Sequence, residues 1–98
     1  MPYPRRQQLD QGFEVMRKFM AGQQSLNNFY ESVKFSHPRT AALMHTDIQK
    51  VAVFSLADDK SPAQEAANNL RDMSRDLPEI QKRVLDCALN ELGFSDSR

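Results

Sequence analysis

Tryptophan is absent, cysteine occurs once, glycine three times, and the net charge is zero. Each scarcity removes a class of protein. A single cysteine, Cys87, forms no intrachain disulfide and suits a reducing compartment. No glycine-rich phosphate loop occurs, because the three glycines at 12, 22 and 93 stand far apart. Thirteen basic residues against thirteen acidic ones leave no long-range field to draw in nucleic acid, an anionic membrane or an acidic substrate. No apolar run approaches the roughly 20 residues of a membrane span. Arg5 and Arg6 are not followed by an apolar stretch of signal-peptide length, so cytoplasmic residence is the expectation.

What is present is globular in composition: 40% hydrophobic and 27% charged over 98 residues, enough for a single domain spanning 1–98 with its own core. The charge is unevenly placed. Residues 1–54 carry seven Lys or Arg against four Asp or Glu, a net of +3, and residues 55–98 carry six against nine, a net of −3. Aromatics follow the same division: Tyr3, Phe13, Phe19, Phe29, Tyr30, Phe35 and Phe54 precede residue 55, and Phe94 follows it.

Helical periodicity runs through the chain, punctuated by Pro38, Pro62 and Pro78 at the heads of apolar-periodic stretches. The reading is all-α: a compact bundle of four to five short amphipathic helices at about 6–21, 25–35, 38–57, 62–76 and 78–92, with 1–5 and 95–98 frayed. In the first, Leu9, Phe13, Met16 and Met20 share one stripe that Phe19 widens, and Gly22 serves as a stop. Ser25 then caps a second helix with Leu26, Phe29, Tyr30 and Val33 on its face, although spacing leaves open whether these two helices run on as one.

The third opens at Pro38 with Ser36 or His37 as its cap, carries Met44, Ile48, Val51 and Ser55, and is flanked by Leu43, Ala52 and Phe54. Its β-branched run Val51–Phe54 stays in phase with the upstream stripe and reads as helix. Ser61-Pro62-Ala63-Gln64 matches a capping box, and Ala63, Ala66 and Ala67 permit close helix approach. In the last helix Ile80, Val84, Leu85, Ala88, Leu89 and Leu92 form a wide apolar face, and Gly93-Phe94 resembles a Schellman stop.

Few chemistries find support. His37 and His45 stand eight apart, and with Cys87 and Asp47 they match no metal-ligand spacing, so no metal and no cofactor is expected. Cys87 lies between Val84 and Ala88, where a cysteine packs as a small hydrophobe, and no base or oxyanion donor accompanies it. Catalysis is not expected.

A helix-turn-helix DNA-binding regulator is the second reading, drawn on the helix pairs around Pro62 or Pro78. Their faces mix signs, however: Glu65, Arg71 and Asp72 in one, Glu79, Lys82, Arg83 and Asp86 in the other. The expectation is a non-enzymatic protein-interaction module, a small regulator that binds another protein such as a transcription factor. In size and class it is similar to the small helical anti-activators that sequester bacterial transcription factors, with no motif in common. The expected contact residues are Phe13, Met16, Arg17, Phe19 and Met20, with Phe29 and Tyr30 behind them, and a homodimer is expected from the oppositely charged halves.

Overall fold

A computed structural model describes the backbone of residues 6–95 and side chains from residue 12 onward. It contains four α-helices, α1 (Arg6–Ser36), α2 (Pro38–Phe54), α3 (Ser61–Met73) and α4 (Glu79–Glu91), with a 3-10 turn at Ser74–Asp76 before α4. The all-α bundle read from the sequence is what forms. The expected fraying of 1–5 and 96–98 lies outside the described residues. Ser95, grouped with that tail, has its carbonyl held by the Gln64 amide at 3.2 Å.

The first correction concerns Gly22. It does not stop a helix: the two helices expected at 6–21 and 25–35 are one, of 31 residues and about 46 Å long at 1.5 Å per residue. Gly22 is buried where α4 crosses closest, and a Cβ placed on it would lie 2.7 Å from Leu92 Cγ. The glycine therefore serves close packing rather than termination, and Ser25 is an ordinary half-buried helix residue.

The chain before a proline resists helix, and α1 ends accordingly at Ser36. His37 takes φ −140° and ψ 70° and precedes Pro38, the first residue of α2, but its side chain makes no cap bond. Gln23 Nε2 donates to the Ala52 carbonyl at 3.2 Å and to Ser55 Oγ at 3.3 Å, so α2 runs back antiparallel along α1. α2 ends at Phe54, three residues before the expected limit.

At the head of α3 the expected capping box does not form. Asp59 caps instead, its Oδ1 accepting from the Ser61 N–H at 3.0 Å, and that bond holds the Asp59 carboxyl below its ordinary value. Gln64 is released to bond Asn68 and Ser95. Ala63, Ala66, Ala67 and Leu70 are buried as α3 returns along α2. The helix stops at Met73, short of the expected 76, and tightens into the 3-10 turn.

Pro78 precedes α4 as its cap, with extended ψ of 149°, rather than occupying its first turn. α4 lies antiparallel to α1, from Gln81 beside Ser32 and Ser36 to Leu92 over Gly22. It closes in the expected Schellman motif: Gly93 has φ +91°, Phe94 N–H bonds the Leu89 carbonyl at 2.8 Å, and Gly93 N–H bonds Asn90 at 3.0 Å. Phe94 is then buried in the core. Arg71 of α3 ties this end down, donating to the Phe94 carbonyl at 2.9 Å and to Asp86 at 3.1 Å.

The core gathers Leu26, Phe29 and Val33 of α1, Met44 and Val51 of α2, the alanines and Leu70 of α3, and Leu85, Leu89 and Phe94 around α4. Burying each large side chain here is worth roughly 1.5–3 kcal/mol. Among the expected apolar-face residues, Leu43 and Ile80 lie outside it, both more than two-thirds exposed.

Candidate functional site

Because α1 is unbroken, the phase of its apolar residues carries through from one end to the other. At 100° per residue, Gly22, Leu26, Phe29 and Val33 centre on one direction, the core, whereas Phe13, Met16 and Met20 centre about 140° away from it. The first stripe is thus a separate seam, and no continuation of the core. Phe13 is 68% exposed, Met16 51% and Met20 65%.

The seam also begins beyond the body of the bundle. The last turn of α4, Asn90 and Glu91, lies beside Arg17, Lys18 and Ala21, and Leu92 lies over Gly22. Helix residues before Arg17 therefore project past the end of α4 by about 16 Å. Bare methionine and phenylalanine on a projecting helix form an adaptable apolar surface, suited to the groove or helix of another protein.

The expected contact residues divide under this geometry. Phe13, Met16 and Met20 stand together on the exposed seam; Arg17 flanks it, 75% exposed in its side chain, with a 3.4 Å ion pair to Glu14. Phe19 is half-buried against the core. Tyr30 is half-buried as well, its ring tilted against His45 with centroids 5.9 Å apart. Phe29 is wholly buried, which corrects its place among the contacts: it anchors the body of α1 and offers nothing to a partner.

Val15, 64% exposed, was missed because it lies off the stripe. Val53 near the end of α2, Leu56 just beyond it and Phe35 near the end of α1 are exposed as well. Periodicity placed Phe54 among core candidates, and it is more than a third exposed.

Compared with known proteins, the chain matches no family model, no curated protein and no solved structure. What the surface does must be read from the residues themselves.

Cations of α3, the 3-10 turn and α4 stand beside carboxylates: Lys82 and Arg83 with Glu79 at 3.3 and 3.8 Å, Arg71 with Asp86, Arg75 with Asp72. Cys87 is exposed on α4, not packed as a small hydrophobe as its neighbours had suggested. It borders an open depression with Arg71, Ser74, Lys82 and Asp86, whose charges are largely matched to one another. Among the described residues no three His, Cys, Asp or Glu side chains converge as a metal site, and no helix is long and apolar enough to cross a membrane.

Proposed function

We propose that this chain is a non-enzymatic protein-interaction module, a small regulator that modulates a protein such as a transcription factor by docking through the projecting end of α1. One observation carries the reading: Phe13, Met16 and Met20 stand bare on a seam turned about 140° from the core face of the same helix. Apolar side chains exposed together at a helix end are of use where a second surface covers them. Carboxylates stand within 4 Å of the cations around α3 and α4, so that surface mixes signs, and this favours a protein over nucleic acid as the partner, since phosphate binding rewards clustered cations.

The test starts from affinity capture with the full chain in its native cell extract, followed by direct calorimetric binding to the purified candidate. Met16→Asp and Phe13→Asp are expected to weaken that binding at least tenfold while the circular dichroism spectrum and melting curve stay unchanged. Undiminished binding by both variants overturns the proposal. Strong, salt-sensitive binding to random duplex at low salt would instead support the helix-turn-helix reading.

A further inference from the structure

Away from the α1 seam, α3, the 3-10 turn and α4 enclose a depression of about 460 Å³, lined in part by Cys87. That volume lies within the range of small-molecule sites, roughly 300–1,000 Å³. Free cysteine is among the most buried residue types, yet the one cysteine of this chain is exposed here.

A second, independent observation concerns Arg71, which enters the same depression from α3 with its side chain only 9% exposed. Its Nη2 donates to Asp86 and to the Phe94 carbonyl, while its Nη1 is buried without a partner among the described residues. A buried charged donor left unsatisfied is costly, and a ligand carboxylate on that guanidinium supplies the acceptor the fold does not. The other lining charges are of both signs: Lys82 and Arg83 stand with Glu79 and Asp86. Three cations against two carboxylates suit a zwitterion with a net negative charge better than a simple anion.

We infer that Cys87 is a site of reversible thiolation, taking a small zwitterionic peptide thiol of the glutathione type whose carboxylates are held by Arg71 and Arg83. Arg83 lies one turn before Cys87 on α4, so the two side chains rise from neighbouring positions on one face. Its tie to Glu79 is a 3.8 Å contact between exposed side chains and yields to a ligand carboxylate. Asp86, more than half exposed, accepts from the ligand's ammonium group.

The step is an exchange with the disulfide form of the same small thiol. Cys87 gives up its proton and its Sγ attacks one sulfur of the ligand disulfide. A new S–S bond joins Cys87 to one half. The old S–S bond breaks, and its electron pair leaves with the other half, which takes up the proton as a thiol. Cys87 is oxidised and the departing half reduced, so the disulfide is the oxidant. Excess reduced thiol reverses the exchange, and the site is loaded only when the small-thiol pool is oxidised.

The site stands or falls separately from docking through α1. Intact-mass spectrometry of the full chain, equilibrated with oxidised and reduced glutathione at fixed ratios, measures loading. Hydroxyethyl disulfide with its thiol is the uncharged reference, and the chain in concentrated urea gives the intrinsic preference of Cys87. Folding is expected to raise the preference for glutathione over the uncharged thiol about fivefold or more. Arg83→Gln and Arg71→Lys should each remove most of that gain while hydroxyethyl loading stays unchanged, and Cys87→Ser should abolish all loading. Arg83 is exposed, so its variant keeps the fold, which circular dichroism checks. Equal preference in folded and unfolded chains overturns the inference. A gain that Arg83→Gln leaves untouched, or a folded chain that takes up no glutathione, overturns it as well.

Discussion

Leu92 occupies the space over Gly22 that any side chain at that position would need: a Cβ there would lie 2.7 Å from its Cγ and 3.3 Å from the Ala88 carbonyl. The backbones of α1 and α4 approach because residue 22 has nothing to hold them apart. Gly22→Ala is therefore expected to destabilise the fold by about 1–3 kcal/mol, overpacking outweighing the gain in helix propensity. Urea unfolding measures it, and a Gly22→Ala/Leu92→Ala pair whose combined cost falls short of the sum of the singles would locate the clash.

Gly12 behaves in the opposite way. Since no neighbour among the described residues approaches its Cβ position, Gly12→Ala should raise stability by up to about 1 kcal/mol. Thermal unfolding at low micromolar concentration, where self-association contributes least, is the measurement. A loss of stability there would show that α1 needs a glycine at this turn.

Gln81 is 8% exposed, and its amide donates to Ser32 Oγ at 2.8 Å and to Ser36 Oγ at 2.9 Å while its Oε1 has no partner among the described residues. Two modest bonds are set against an unsatisfied acceptor. Gln81→Met should stay within about 1 kcal/mol of the parent, and Gln81→Glu should cost about 2 kcal/mol or more at neutral pH by burying a charge without a cation. Chemical denaturation of both variants separates the two outcomes.

Asp59 provides a pH signature. Its carboxyl titrates below its ordinary value of 3.8 because the Ser61 N–H bonds the ionised form. A depressed folded-state value means that the stabilisation is fully present above the unfolded value and is lost as pH falls through the folded one. Asp59→Ala should lower the melting temperature at pH 7 and narrow its gap to the parent below pH 3.8. A gap independent of pH would mean that the cap does not depend on the carboxylate.

The all-α class, the Schellman stop at Gly93-Phe94 and the phase of Met44 and Val51 were legible because each depends on residues a few positions apart. Gly22 was not, for a physical reason: a glycine that ends a helix and one that lets another helix approach look alike locally. The residue that decides between them, Leu92, lies at the other end of the chain. Asp59 was overlooked for a nearer cause, since Ser61 and Gln64 satisfy the capping pattern but the helix takes Ser61 as its first residue and needs its acceptor earlier.

Phe13, Met16 and Met20 share one stripe of the helix, as their spacing implies, and all three are exposed. Its direction was not legible until the continuity of α1 fixed how far that stripe is turned from the core. Phe29 was expected behind that stripe as a contact, but its phase belongs to Leu26 and Val33 and it is wholly buried.

An unbroken helix joining seam and core makes α1 an axle whose setting is counted in residues. Each residue inserted or removed between Met20 and Gly22 would swing the seam about 100° around the bundle and shift it about 1.5 Å along the axis, leaving every core contact downstream in place. The length of that short spacer is thus an aiming device. The same folded body can point its docking edge in a new direction, with the contact of Phe19 on the core as what is lost.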